Sequence, residues 1–145
     1  MAFRFPLATV LRLRESVEKR EERALQKIQA EIARVVHQIE DLTQQMENEK
    51  AARERSLRKA MPAGHLHTML WEVESAEEKK KTLLQLLQIL EEQRAQQMKV
   101  YQTAHRDRET LTDMREQHRD AYDVEQSRRQ QKVLDDIFIA RHHRS

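Results

Sequence analysis

The feature that most restricts the fold of this chain is a repeated spacing of apolar residues. Between Leu25 and Met46 they recur in alternating steps of three and four, at positions 25, 28, 32, 35, 39, 42 and 46. This heptad spacing places one apolar stripe along a helix and is typical of a helix that packs against another helix. Upstream, Glu18 and Glu21 interrupt the stripe between Val17 and Leu25, and two steps of four residues are needed to cross this gap. We expect a change of step there, that is, a local unwinding of the supercoil within an unbroken helix.

A single break divides the sequence. The segment Met61-Pro62-Ala63-Gly64-His65 contains one of the two Pro residues and the only Gly of the chain. Pro disfavours helix at the residue before it, and Gly commonly ends helices. We therefore predict a first helix over about 6–60, a turn over about 61–68 with Thr68 as N-cap, and a second helix over about 69–140.

Two long helices around one turn predict an all-α fold, an antiparallel coiled-coil hairpin that forms a single domain over 1–145. The composition agrees, since 36% of the residues are charged and 4% are aromatic. A turn centred near Gly64 would place Leu42 near Leu84 or Leu87 and Phe5 near residue 123. The residues after about 125 would then have no partner on the first helix.

The stretch Thr82–Glu92 (TLLQLLQILEE) has more apolar residues than one seam needs. With Leu83, Leu87 and Leu90 facing the first helix, helical geometry turns Leu84, Leu86 and Ile89 to the flanks. The functional interpretation is that these three residues form an exposed binding site for another protein. The alternatives are a third helix from a self-association partner, or a wide seam that half covers the flanking residues.

Both termini carry a second apolar surplus. Near the C-terminus one helical face holds Val133, Leu134, Ile137 and Phe138, and near the N-terminus lie Phe3, Phe5, Leu7, Val10 and Leu11. We expect these residues to dock on a partner. The alternative is that residues 125–145 fray in solution, and both interpretations hold if the segment orders on binding.

Most other function classes lack the residues they need. The chain has no Cys and no phosphate-binding Gly-rich loop, and the close histidines, His65 with His67 and His142 with His143, lack a third ligand. We predict no enzyme activity, no metal and no cofactor. The basic residues Arg53, Arg55, Arg58 and Lys59 are interpreted as a solvated face, or as a weak contact with an acidic partner or an anionic membrane.

The charge of the chain and the length of its apolar runs indicate whether it binds nucleic acids or spans a membrane. The net charge is +2, and the Pro-Gly break does not suit a basic region leading into a parallel zipper, so no nucleic-acid partner is predicted. The apolar run Phe5–Leu11 is too short for a secretory signal, and no later stretch approaches a membrane span. We expect a soluble, intracellular protein.

The opening Phe3-Arg4-Phe5-Pro6-Leu7-Ala8-Thr9-Val10-Leu11-Arg12-Leu13-Arg14-Glu15 resembles the F-x-F-x-L-x-x-V-L-x-x-R-E opening of the FliJ proteins of the bacterial flagellar export apparatus. The late Leu134-Asp135-Asp136 is similar to the L-D-E of that family, with Asp in place of Glu. The lone central break and the long second helix also fit, so the resemblance covers the whole chain.

The resemblance implies a cytoplasmic, non-enzymatic stalk protein that binds and stimulates a hexameric export ATPase at the inner membrane. It also implies contact with the cytosolic domain of the transmembrane export gate, and binding of export chaperones. The family's gate contacts fall near Ala76, Lys80, Leu83 and Leu87. Two alternatives remain: the equivalent stalk of a virulence secretion system, and a generic self-associating coiled-coil scaffold.

Overall fold

The computed structural model describes residues 2–59 and 61–144, which form two long α-helices and no strand. Helix α1 spans Ala8–Leu57 and helix α2 spans Ala63–Arg144. The helices pack against each other in antiparallel order as a hairpin. The predicted all-α coiled-coil fold is therefore confirmed.

The contacts divide the chain into two compact units. One joins residues up to Glu21 with those from Tyr101 onwards, and the other comprises Glu22–Val100. Each unit contains a part of both helices, and each has buried apolar residues of its own: Phe5, Leu11 and Ala104 in the first, and Leu25, Val35 and Leu90 in the second. The prediction of one domain over 1–145 stays a prediction.

The turn lies several residues before its predicted place. Helix α1 ends at Leu57 and α2 begins at Ala63, directly after Pro62, whose carbonyl accepts hydrogen bonds from the backbone N–H groups of His65 (3.1 Å) and Leu66 (3.4 Å). The prediction of Thr68 as N-cap is wrong, because Thr68 lies inside the helix and its hydroxyl donates to the Gly64 carbonyl at 3.0 Å. Gly64 has no positive φ and is an ordinary helical residue. Proline suits this place because its missing N–H costs nothing before the first helical turn.

The seam between the helices follows the predicted heptads in the Glu22–Val100 unit. Leu25 and Val35 are buried, and the other positions of the repeat through Met46 are half-buried. The same spacing continues past Met46 with half-buried Glu49, Arg53 and Ser56. On α2 the matching positions are buried or half-buried, namely Met69, Val73, Ala76, Lys80, Leu83, Leu87 and Leu90.

The register differs from the prediction because the turn comes earlier. Phe5, expected near residue 123, lies edge-on against His118, with 5.5 Å between ring centroids. Leu42, expected near Leu84 or Leu87, lines a groove with Ala76 and Lys79. The partners on α2 are thus displaced by more than one helical turn toward the break.

Candidate protein-binding surfaces

The apolar residues in the middle of α2 separate into a covered and an exposed set, as the helical wheel predicts. Leu90 is buried, and Leu83 and Leu87 are half-buried in the seam. Three neighbours, which we name the mid-α2 surface, are 40–52% exposed: Leu84, Leu86 and Ile89. The surplus of apolar residues in this stretch is therefore not absorbed by the seam.

Four residues that the family resemblance assigns to gate contact occupy seam positions. They are half-buried and spaced by the heptad: Ala76, Lys80, Leu83 and Leu87. A side chain that packs toward α1 leaves only part of its surface exposed to a binding partner. Leu84, Leu86 and Ile89 offer the larger apolar area in this part of α2.

A groove runs beside Leu84 on one side of the mid-α2 surface. Its volume is about 470 Å³, and Met46 and Leu84 supply its apolar lining. Its polar lining comes from Glu77, Lys80, Lys81, Gln85 and Gln88. The two lysines give the groove two positive charges against the single negative charge of Glu77, so it suits an apolar segment with acidic residues better than a basic one.

The end of α2 carries a continuous exposed stripe, which we name the C-terminal stripe. Its four residues are 46–70% exposed: Val133, Leu134, Ile137 and Phe138. The Phe138 ring stacks on His142 of the same helix, with 6.1 Å between centroids and 9° between planes. Ile139 is also exposed beside the stripe. The expectation that these side chains find no cover on α1 agrees with their exposure.

The N-terminal residues assigned to the same binding region behave differently from one another. Phe5 and Leu11 are buried, at 8% and 4% exposure. The Phe3 ring packs on Tyr122 at 5.6 Å. The unopposed apolar cluster expected here is therefore only partly present, because these three side chains serve the packing of the hairpin itself.

Three other apolar residues at the start of α1 remain available to a partner. Leu7, Val10 and Leu13 are 36–61% exposed. Their spacing of three places them within about 120° of one another on the helix. Leu13 lies outside the predicted binding region, although its spacing from Leu7 and Val10 is visible in the sequence.

A polar cluster occupies the seam where the sequence predicts a change of step. The Glu18 carboxylate accepts a hydrogen bond from Arg108 Nε (2.6 Å) and faces His105 Nδ1 (3.1 Å). The hydrogen bond from Arg108 lowers the pKa of Glu18 below its ordinary value, against the opposing effect of burial. A second ion pair, Arg14 with Asp107 at 3.3 Å, lies nearby.

This cluster also explains how the seam passes the two acidic residues. The side chains of Glu18 and Glu21 are only 15% and 16% exposed. Positions 11, 14, 18, 21 and 25 follow heptad spacing, although Arg14 in this series is exposed. The change of step expected here stays a prediction. Apolar periodicity cannot reveal a seam position that is filled by an ion pair.

Metal sites and membrane spans are the two remaining kinds of site. Within residues 2–59 and 61–144, no group of three or more His, Asp or Glu side chains is placed to hold a metal ion. In the same described ranges, neither helix has a stretch that is long and apolar enough to cross a bilayer.

Comparison with known proteins connects these surfaces to a family. The family model described as "Flagellar FliJ protein" matches residues 3–145, nearly the whole chain, and so includes every surface described above. Neither the curated proteins nor the solved structures yield a match. Proteins of the matched family serve flagellar type III export and are not catalysts. The chain is thus a member of the FliJ family and a flagellar type III export protein.

Proposed function

We propose that this protein is the central stalk of the flagellar export machine, which binds and stimulates the hexameric export ATPase and links it to the export gate. The observation that carries the proposal is the pair of exposed apolar surfaces, the C-terminal stripe and the mid-α2 surface. Membership of the flagellar family supports it over the virulence counterpart. No catalytic group from the chain is required.

The ATPase contact is assigned to the C-terminal stripe. Its four large apolar side chains lie on one helical face, and a ring-shaped partner buries such a face by closing around the helix. Leu7, which directly precedes α1, and Val10 of α1 are exposed and can contribute. Phe5 and Leu11 contribute indirectly, because in the folded hairpin their side chains face α2 and hold the start of α1 in place.

Deletion of residues 125–145 tests the ATPase contact. The truncated protein should no longer stimulate ATP hydrolysis by the purified export ATPase, since the whole stripe is removed. A finer variant, Ile137→Gln with Phe138→Gln, should weaken stimulation while helicity is kept. The matched control is Val100→Gln, which changes an apolar residue of 47% exposure outside both surfaces.

Two results would contradict this assignment. One is full stimulation by the truncated protein. The other is loss of stimulation from variants near the turn, such as Arg55→Gln with Arg58→Gln, while the deletion has no effect.

The gate contact is assigned to the mid-α2 surface and the adjoining groove. Changing Leu86 and Ile89 together to Gln should weaken binding to the cytosolic domain of the gate, because both side chains are exposed and apolar. Melting should stay close to that of the parent, since neither residue fills the seam. Leu83→Gln is the structural control: it places a polar group in the seam and should lower the melting temperature.

Calorimetry with the purified gate domain measures the affinity. If the Leu86 and Ile89 double variant binds as tightly as the parent, the gate contact does not lie on the mid-α2 surface. A fall in melting temperature equal to that of Leu83→Gln shows instead that the two residues belong to the packing.

The proposed location is the cytoplasm, with attachment to the inner membrane through the gate. Export chaperones are a third class of partner for this family, and we assign them no surface. The competing function is a self-associating scaffold in which the mid-α2 surface covers a second copy. Light scattering separates the two, because the stalk should be a monomer at micromolar concentration.

A further inference from the structure

The turn end of the hairpin carries a third exposed surface that neither proposed contact uses. Helix α1 ends and α2 begins there, and four apolar side chains are 41–66% exposed: Leu57, Leu66, Leu70 and Trp71. Trp71 is the only Trp of the chain and is 66% exposed. We name these residues, with Arg55, Arg58 and Lys59, the turn-end surface.

The charge of this surface is one-sided. Residues 55–71 contain three Lys or Arg residues, two His and no acidic residue, and Glu54 and Glu72 border this segment. Arg55, Arg58 and Lys59 are exposed, and the Arg55 guanidinium has a long hydrogen bond of 3.4 Å to the Ala51 carbonyl of its own helix. Three exposed positive side chains can thus meet a negative surface.

We propose that the turn-end surface binds an anionic lipid bilayer directly. Trp is favoured at the boundary between lipid headgroups and acyl chains, where its ring is buried and its N–H stays solvated. Neighbouring Arg and Lys side chains add electrostatic attraction to anionic headgroups. Leucines beside the indole supply the apolar area that shallow insertion requires.

The arrangement favours a bilayer over an acidic protein. Leu57, Leu66 and Leu70 are exposed, and none of them lines the groove that Trp71 borders. Trp71 borders one shallow groove of about 240 Å³ but leaves two thirds of its surface in solvent. A protein would need a pocket shaped to these side chains, whereas a fluid bilayer accepts exposed apolar side chains beside basic ones without a matching pocket.

This inference is independent of the proposed gate contact. It concerns lipid rather than protein, and residues 55–71 rather than the mid-α2 surface. The experiment contains no gate protein, so either proposal can fail while the other stands.

The sole Trp provides the assay. The full chain is mixed with phosphatidylcholine vesicles, with or without about one quarter of phosphatidylglycerol, and Trp71 emission is recorded. We expect a blue shift only with the anionic vesicles, and loss of the shift at high salt, where the Debye length falls to about 3 Å. Sedimentation with the vesicles measures the binding constant.

Two variants and a matched control sharpen the test. Each basic residue near an anionic surface strengthens binding about fivefold, so Arg55→Gln with Arg58→Gln should weaken sedimentation roughly 25-fold. Arg23→Gln with Arg34→Gln removes the same charge from exposed positions elsewhere on α1 and should have little effect. Leu70→Ser with Trp71→Ser should abolish binding while helicity is unchanged.

Three outcomes would overturn the proposal. They are the absence of any shift with anionic vesicles, an equal shift with phosphatidylcholine alone, and equal weakening by the two arginine double variants. Polyglutamate serves as an acidic protein probe: a shift with polyglutamate and none with vesicles would assign the surface to an acidic protein.

Discussion

Val35 offers the sharpest test of the seam, because its side chain is only 1% exposed. The change Val35→Ala removes two carbon atoms from the interface between the helices. At about 0.8 kcal/mol for each buried carbon, with up to ~1 kcal/mol more for the cavity, the loss is about 1.6–2.6 kcal/mol. Ala is a better helix former than Val by roughly 0.5 kcal/mol, so the net loss is about 1–2 kcal/mol.

Thermal unfolding followed by circular dichroism measures this loss. For a chain of this length about 1 kcal/mol corresponds to roughly 2–4 °C, so Val35→Ala should melt about 2–8 °C below the parent. The matched control is Val100→Ala, the same substitution at a residue of 47% exposure. It should melt at or slightly above the parent temperature, because it gains helix propensity and loses little burial.

The comparison of the two valine variants isolates burial from helix propensity. Both lie in helices, and both make the same chemical change. If they melt at the same temperature, Val35 is not in a tight seam and the described packing of the helices is incorrect.

Three further predictions concern the seam and the turn. Ile32→Asp or Ile39→Asp should lower the free energy of unfolding by several kcal/mol through an unpaired charge in the seam, and parental melting by either would refute the register. Glu18→Gln should lower the free energy of unfolding by about 1–2 kcal/mol near neutral pH. Because the pKa of Glu18 is lowered in the folded state, the stabilisation by its carboxylate is present above the ordinary pKa of 4.5 and is lost as the pH falls through the folded pKa. The melting temperatures of the variant and the parent, measured at several pH values, should therefore converge in acid. Gly64→Ala should stabilise α2 by about 0.5–1 kcal/mol, since a Cβ there meets no atom within 4 Å, and a destabilised variant would show that Gly64 needs its conformational freedom.

The fold follows from the sequence because two simple signals agree. Heptad spacing from Leu25 to Met46 specifies a partner helix, and a single Pro-Gly break allows only one reversal of the chain. The wheel around Leu83, Leu87 and Leu90 also identifies Leu84, Leu86 and Ile89 as exposed. These results depend on helix geometry alone, which is the same in every α-helix.

The position of the turn was harder to predict. Pro62 and Thr68 are both acceptable at a helix start, and local preference cannot choose between them. Pro62 marks the start of α2 and Gly64 continues the helix, so the turn shortens and the register moves with it. A small error at the turn is carried along the whole seam, which explains the displaced partners of Phe5 and Leu42.

The terminal surfaces could be only half predicted for a different reason. Apolar residues near the N-terminus are equally suited to packing on α2 and to binding a partner, and only the register decides between the two. Phe5 meets His118 and Leu11 is buried, whereas Leu7 and Val10 turn away. The C-terminal stripe posed no such choice, because the shorter α1 provides no residues to cover it.

The distribution of apolar side chains gives a physical reason for a chain of this kind to work in an assembly. Among the described residues only six hydrophobic side chains are buried, and Ala104 is one of them. The exposed set includes the mid-α2 surface in one compact unit and the C-terminal stripe in the other. Each surface lies outside the seam of its own unit, so a polar substitution there should remove a proposed partner contact without removing the packing. We therefore expect the proposed contacts with the ATPase and with the gate to be separable by mutation, and a variant that loses both through one of these surfaces would contradict the two-surface assignment.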